Sequence, residues 1–332
     1  MFKVLSIDGG GIRGVIPGAL LRHLEEKAGK PVAALFDLIA GTSTGGILAA
    51  GLAVPGAGQG PKYSAADMVD LYAKRGHEIF QRSFWRGVTS IAGIADEKYS
   101  HAPLEAILHD YVADVTLAET IRPILITSYD IERRGPYFFK TRRAGQPGRN
   151  HYLRDVARAT SAAPTYFEPA EIMSIGANPT RRVLVDGGVF ANNPAMCAYV
   201  EARNMGIDPS EILIVSLGTG IATREIPYED ARNWGAAGWV QPIISVMMDG
   251  VADSVDYQLQ QLLPDGRRPD SQRYFRFNTR LDLALDDMDA ANAGNIRNLE
   301  QEAKQILQDQ ASEFDRLVAL LLTESGAAPV SV

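Results

Sequence analysis

Short, continuously apolar runs recur along the chain, and most are followed by a stretch whose apolar residues return every three or four positions. Runs of the first kind suit strands buried on both faces, and stretches of the second kind suit helices laid against them. Residues 3–7 predict a first strand. Ile16, Leu20, Leu21 and Leu24 predict a helix over 14–27, which Gly29 and Pro31 end. Residues 35–40 predict a second strand, followed by an apolar helix from Gly46. The Gly- and Pro-rich stretch 54–63 is a loop, and residues 64–117 are mostly helical. Strands follow at 123–129 and 137–141, a helix at 154–163 before Pro164, and a strand at 183–186 broken by Gly187-Gly188. A helix over 194–205 takes Pro194 in its first turn. The apolar strand 212–217 stops at Gly218-Thr219-Gly220, and helical patterns fill 239–263 and 290–322. This alternation predicts an α/β fold with a largely parallel central sheet covered on both faces. One domain over residues 1–325 accounts for it, with 55–120 forming a helical lobe or cap beside the sheet.

Composition narrows the classes of function. A chain of 332 residues that is 46% hydrophobic can bury a large core. Its 33 basic and 40 acidic side chains leave a net charge of -7, which argues against a nucleic-acid partner. Cys197 is the only cysteine, so neither an intrachain disulfide nor a cysteine-based metal cluster is expected. Met1 leads directly into a strand pattern without a signal-peptide core, and no apolar run approaches the ~20 residues that cross a bilayer. A soluble, cytoplasmic protein is expected, and a local patch or apolar rim would still allow transient contact with a membrane.

Three short motifs carry chemistry. Gly41-Thr42-Ser43-Thr44-Gly45 follows the second strand and precedes an apolar helix. A serine between glycines at that junction resembles a nucleophile elbow, in which small flanks let strand and helix pack around a strained turn. Asp8-Gly9-Gly10-Gly11-Ile12-Arg13-Gly14 lies between the first strand and first helix. Its backbone N–H groups can converge on an oxyanion, with Arg13 adding positive charge. The same glycines match a dinucleotide fingerprint, but the second strand ends in Gly41-Thr42-Ser43 where such a unit wants an acidic residue. A purely structural glycine turn has the same signature. Because loops after parallel strands share one sheet edge, Ser43 and the glycine loop would meet there. The third motif is Asp186-Gly187-Gly188, a carboxylate at a strand end, which a turn-capping aspartate would also produce. The five histidines (His23, His77, His101, His109 and His151) all precede it, so with Asp186 as the acid the order Ser, acid, His of an α/β-hydrolase is not met, and His77 to His109 lie in helical surroundings that suit surface or packing roles.

Together these motifs resemble the patatin-like phospholipase family, and the likeness extends through Ser161-Ala162-Ala163-Pro164-Thr165-Tyr166-Phe167 and the run from Asp186 to Pro194. It covers most of the chain and weakens around 55–120. The resemblance implies a three-layer α/β/α fold and a Ser–Asp dyad, with Ser43 as nucleophile and Asp186 as base. It implies that the glycines after Asp8 form the oxyanion hole, and that neither metal nor cofactor is needed. Gly188 stands where many relatives have alanine. The expected activity is hydrolysis of fatty-acyl esters of phospholipids or related acylglycerols at a membrane surface, through an acyl-enzyme. Transfer to an acceptor other than water, thioester hydrolysis, and an effector switched on by a nucleotide or another signal are alternatives that use the same serine. Homo-oligomerisation is left open.

Substrate recognition is less legible. Trp234, Trp239 and the run 243–248 suit an acyl channel or an interfacial rim, but helical spacing makes Ile243, Ile244, Val246 and Met247 ordinary core positions. The basic segments at 132–134 and 142–143 are expected to be solvated surface.

Overall fold

The computed structural model describes residues 1–58, 60–79, 99–263 and 271–323. Its strands are β1 Phe2–Ile7, β2 Leu38–Gly41, β3 Ile124–Asp130, β4 Gly135–Lys140, β5 Ala170–Met173, β6 Arg181–Asp186, β7 Ile212–Leu217 and β8 Tyr274–Phe277. They form one eight-stranded sheet in the order β5-β6-β3-β2-β1-β7-β8, with β4 paired to β3. The helices are α1 Val15–Ala28, α2 Val32–Leu35, α3 Thr44–Leu52, α4 Ala65–Ile79, α5 Ala102–Val112, α6 Leu153–Thr160, α7 Gly188–Ala191, α8 Ala195–Asn204, α9 Tyr228–Ala231, α10 Ala236–Leu262, α11 Ala293–Asp309 and α12 Ala311–Leu322.

Successive strand residues point to opposite faces, and this splits the core in two. Val4, Leu38, Ala40, Ile212 and Ile214 pack on one face with α8 and the end of α10. Leu5, Ile7, Ile39, Leu213 and Val215 pack on the other with α1, α3, α4, α5, α6, α11 and α12. The result is three layers, α/β/α. The described part of segment 55–120 belongs to this second cluster: α4 and α5 bury Met68, Leu71, Leu104 and Ile107 in it. Residues 80–98 of that segment lie outside the described residues.

The sheet is less uniformly parallel than the strand–helix alternation predicts. Pairs β1–β2, β1–β7, β2–β3 and β7–β8 are parallel, whereas β3–β4, β3–β6 and β5–β6 are antiparallel. Only residues 131–134 join β3 to β4, too few for a parallel crossover. The register around β3 has a further consequence. β4 pairs with residues 125–130 of β3, β2 with 124–126 and β6 with 128–130. A strand has two edges, so β2 and β6 must share the edge that β4 leaves free. They lie end to end along it, and their carboxyl termini meet.

Element boundaries shift modestly. Residues 32–35 form the short helix α2, so the second strand begins only at Leu38. The helical pattern over 290–322 divides at Gln310, whose backbone (φ -113, ψ 25) leaves the helical region. Core placement fails for the first half of α10. Ile243, Val246 and Met247 are 39%, 44% and 46% exposed, while Met248 and Leu259 are buried. The apolar face there exists, but only part of it finds a partner among the described residues.

Candidate active site

Ser43 lies two residues beyond β2 and caps α3 with φ 54 and ψ -123, a conformation that non-glycine residues rarely adopt. The surrounding contacts hold it there. Its N–H donates to Thr160 Oγ1 at 2.9 Å, and Thr160 Oγ1 donates to the Thr127 carbonyl at 2.7 Å. Thr42 Oγ1 donates to the Ala191 carbonyl and lies 2.6 Å from Thr127 Oγ1. Thr44 Oγ1 bonds the Tyr72 hydroxyl. The flanking glycines answer a steric demand: a Cβ on Gly41 would lie 2.2 Å from the Gly45 carbonyl oxygen, and one on Gly45 would lie 2.1 Å from that of Ile7.

Asp186 is the last residue of β6 and sits opposite Ser128 of β3. Gly41 pairs with Ile126, two residues earlier in β3, so the residues just beyond β2 reach the level of Asp186. The antiparallel, end-to-end arrangement of β2 and β6 therefore brings Ser43 and Asp186 together, not the shared carboxyl edge of a parallel sheet. Asp186 Oδ1 accepts a 2.7 Å hydrogen bond from Gly188 N–H. Oδ2 is buried and lacks a hydrogen bond of good geometry, yet the Ser43 hydroxyl lies near enough to favour the ionised carboxylate. Burial outweighs that hydroxyl and the Gly188 N–H, and pushes the carboxyl up to about 7. Gly187 seats this turn against β3, since a Cβ on it would lie 2.1 Å from Thr127 Oγ1.

Ser43, Asp186, Gly11 and Thr44 line a narrow cavity of about 50 Å3, walled by apolar side chains including Ile47, Ile79, Leu104, Phe167 and Met248. None of the five histidines, all described, lines it. His151 lies in the core on the Tyr137 hydroxyl at 3.0 Å, where burial pushes it down to about 4. His101 contacts Glu105 and Glu168, His23 is 3.8 Å from Glu26, and His77 and His109 are exposed.

The glycine loop is adjacent but divides its tasks. Gly9 N–H is already engaged by the Asn192 carbonyl at 3.0 Å, so Gly9 is not a free donor. It serves close approach instead, because a Cβ there would lie 3.2 Å from Ser43 Cβ. Among the described residues, the N–H groups of Gly10, Gly11 and Thr44 have no protein acceptor. Arg13 is held by backbone carbonyls. Its Nε donates to the Gly10 carbonyl at 3.3 Å and an Nη to that of Gly220 at 3.5 Å, and its side chain faces a neighbouring cavity.

Residues without an evident signal in the sequence complete the frame. Arg276 of β8 pairs with Asp8, and Thr219 Oγ1 donates to the Gly9 carbonyl at 2.7 Å. Thr127 and Thr160 brace the elbow. Gly218-Thr219-Gly220 marked a strand end without a partner, and an arginine between Phe275 and Phe277 carries no pattern at all.

A family model described as Patatin-like phospholipase matches residues 5–199, a span that contains the glycine loop after Asp8, the Ser43 elbow and the Asp186 turn. Patatin-like protein 4 of Arabidopsis thaliana is 30% identical over 334 residues, covering 90% of this chain and 82% of its own length. Patatin-like protein 2 of the same plant is 33% identical over 291 residues, covering 78% and 71%. Among solved structures, VipD from Legionella pneumophila is similar at 14% identity with a TM-score of 0.43, over 93% of this chain and 67% of that one.

Proposed function

The chain belongs to the patatin-like phospholipase family, a family of lipid acyl hydrolases, and from that premise we propose that it cleaves fatty-acyl esters of phospholipids or related acylglycerols. The carrying observation is the meeting of a strained, buried serine with a desolvated, histidine-free carboxyl in one apolar cavity. An ordinary aspartate is a weak base near neutrality. Asp186, pushed up to about 7, is matched to accepting a proton there.

In this reading Ser43 Oγ attacks the ester carbonyl while its proton passes to Asp186. The carbonyl oxygen gains negative charge among the Gly10, Gly11 and Thr44 N–H groups at the start of α3. Collapse expels the alcohol, which takes the proton back from Asp186 and leaves an acyl-serine. Water then attacks the acyl carbonyl with Asp186 as base, releasing the fatty acid and restoring the hydroxyl. The apolar walls around Ile47 and Leu104 receive the acyl chain. The exposed side chains of Ile243, Val246 and Met247 suit contact with a lipid surface, which makes the protein a peripheral visitor to membranes. Among the described residues, no helix is long and apolar enough to cross one.

Incubation of wild type and Ser43→Ala with a total lipid extract tests this by mass spectrometry. Free fatty acids and lysolipids are expected only with wild type. Equal product from both proteins would remove Ser43 from the reaction.

A further inference from the structure

A second cavity, of about 460 Å3, adjoins the slot of Ser43 and shares Tyr166, Met248 and Met288 with it. Its walls are of a different kind. Glu225, Asp230, Asp249, Asp286 and Asp287 line it, with Arg13 and Arg224 as the basic groups. Arg224 bonds both Asp286 and Asp287, so those three charges answer one another. Among the described residues, Arg13, Glu225, Asp230 and Asp249 have no ion-pair partner. Arg13 is only 5% exposed, its two carbonyl contacts are long, and its second Nη has no protein acceptor among the described residues. Asp249, Asp286 and Asp287 act on Arg13 from a distance but none reaches it as an ion pair, so the guanidinium keeps donors to offer an anion entering the cavity.

The placement of these charges is informative. Arg13 stands beside the glycine loop, next to where the ester must react, whereas Glu225 precedes α9 and Asp230 lies within it. Near the reacting ester the cavity offers a guanidinium, and across its walls carboxylates outnumber basic groups five to two. So many carboxylates also rule against an acyl chain, which could not solvate them. We propose that this cavity is a headgroup site for glycerophospholipids that carry an anionic phosphate followed by a terminal ammonium. This rests on the acyl-hydrolase reading of Ser43. The carboxylates attract the ammonium, and Trp234 supplies an aromatic surface beside it. A lipid with a phosphate but an uncharged terminal group gains only the Arg13 contact.

Dihexanoyl phospholipids with choline, ethanolamine or glycerol headgroups test this below their micellar concentrations, where membrane binding plays no part. All three share acyl chains and phosphate. Wild type should hydrolyse the choline or ethanolamine lipid about tenfold faster in kcat/KM than the glycerol lipid, the scale of one charge contact. In Glu225→Gln/Asp230→Asn that ratio should fall toward one, whereas general damage to the protein would lower all rates together. The choline and ethanolamine arms tell a quaternary from a primary ammonium. Equal wild-type rates, or a ratio that survives the double substitution, would overturn the headgroup site while leaving the hydrolase reading intact. If wild type hydrolyses none of the lipids, calorimetric binding of the same three to Ser43→Ala still decides. Tighter binding of an ammonium lipid supports the site, and equal affinities reject it.

Discussion

Arg276 Nη2 lies 2.6 Å from Asp8 Oδ2, so the last strand of the sheet grips the loop that follows the first. Both side chains are largely buried, and Arg276 also donates to Ser216 Oγ at 2.9 Å. Removing one member leaves the other charged and unpaired, which costs about 3–5 kcal/mol for a buried pair. Arg276→Leu is expected to lose stability on that scale in urea unfolding and to lose esterase activity through a displaced glycine loop. Asp8→Asn/Arg276→Leu should recover part of the stability, because no buried charge then stands alone. A loss below about 1 kcal/mol in the single variant would mean that the pair does not hold the loop.

Asp186→Asn should abolish acyl-enzyme formation yet stabilise the protein. The asparagine keeps an oxygen for the Gly188 N–H and removes a buried ionisable group. The sign follows from the raised carboxyl, from 3.8 to about 7. Below the ordinary aspartate range the group is neutral in both folded and unfolded chains and carries no penalty. As pH rises toward 7 the unfolded chain ionises first, and wild type loses stability by up to roughly 4 kcal/mol. The difference in Tm between variant and wild type should therefore be small near about pH 4 and widen toward about pH 8. A constant gap would show that burial does not burden this carboxyl.

For wild type, kcat/KM should rise with pH as one ionisation near 7, the proton leaving Asp186 in the free enzyme. Replacing His23, His77, His101 or His109 by alanine should leave this profile in place. His151→Ala should lower Tm, because it opens a gap beside Tyr137 and Phe139, without moving the pKa seen in the rate. A folded histidine variant without activity would replace the dyad by a triad.

Ile243 and Met247 project from α10 outside both cavities. Ile243→Ser/Met247→Ser is expected to reduce co-sedimentation with phosphatidylcholine vesicles. The ratio of activity on vesicles to activity on a monomeric short-chain lipid should fall several-fold. An unchanged ratio would place the membrane contact elsewhere.

Much of the fold was legible because strands buried on both faces leave continuous apolar runs, and glycine clusters mark where they end. Ser43 and the glycine loop could be set side by side from the parallel pairing of β1 with β2 alone. The position of Asp186 was legible as a residue type at a strand end, but the reason it reaches Ser43 was not. Pairing direction depends on which strand edge is free, and no local pattern encodes that. The direction of the Arg13 side chain was not legible for a related reason: sequence adjacency to the glycines says nothing about which side of the loop a long side chain takes. The outer half of α10 misled because helical spacing reports an apolar face and not whether the chain itself covers it.

The dyad and its frame are assembled from distant parts of the chain: Ser43 from β2, Asp186 from β6, and the Arg276 tether of the glycine loop from β8. On the proposed reading, a nascent chain emerging from the ribosome displays its serine long before it owns a working base. It could not attack lipid until β6 had docked against β3 and the final strand had closed on Asp8. Hydrolytic power, so read, arrives late in synthesis and belongs to the finished sheet rather than to any one segment.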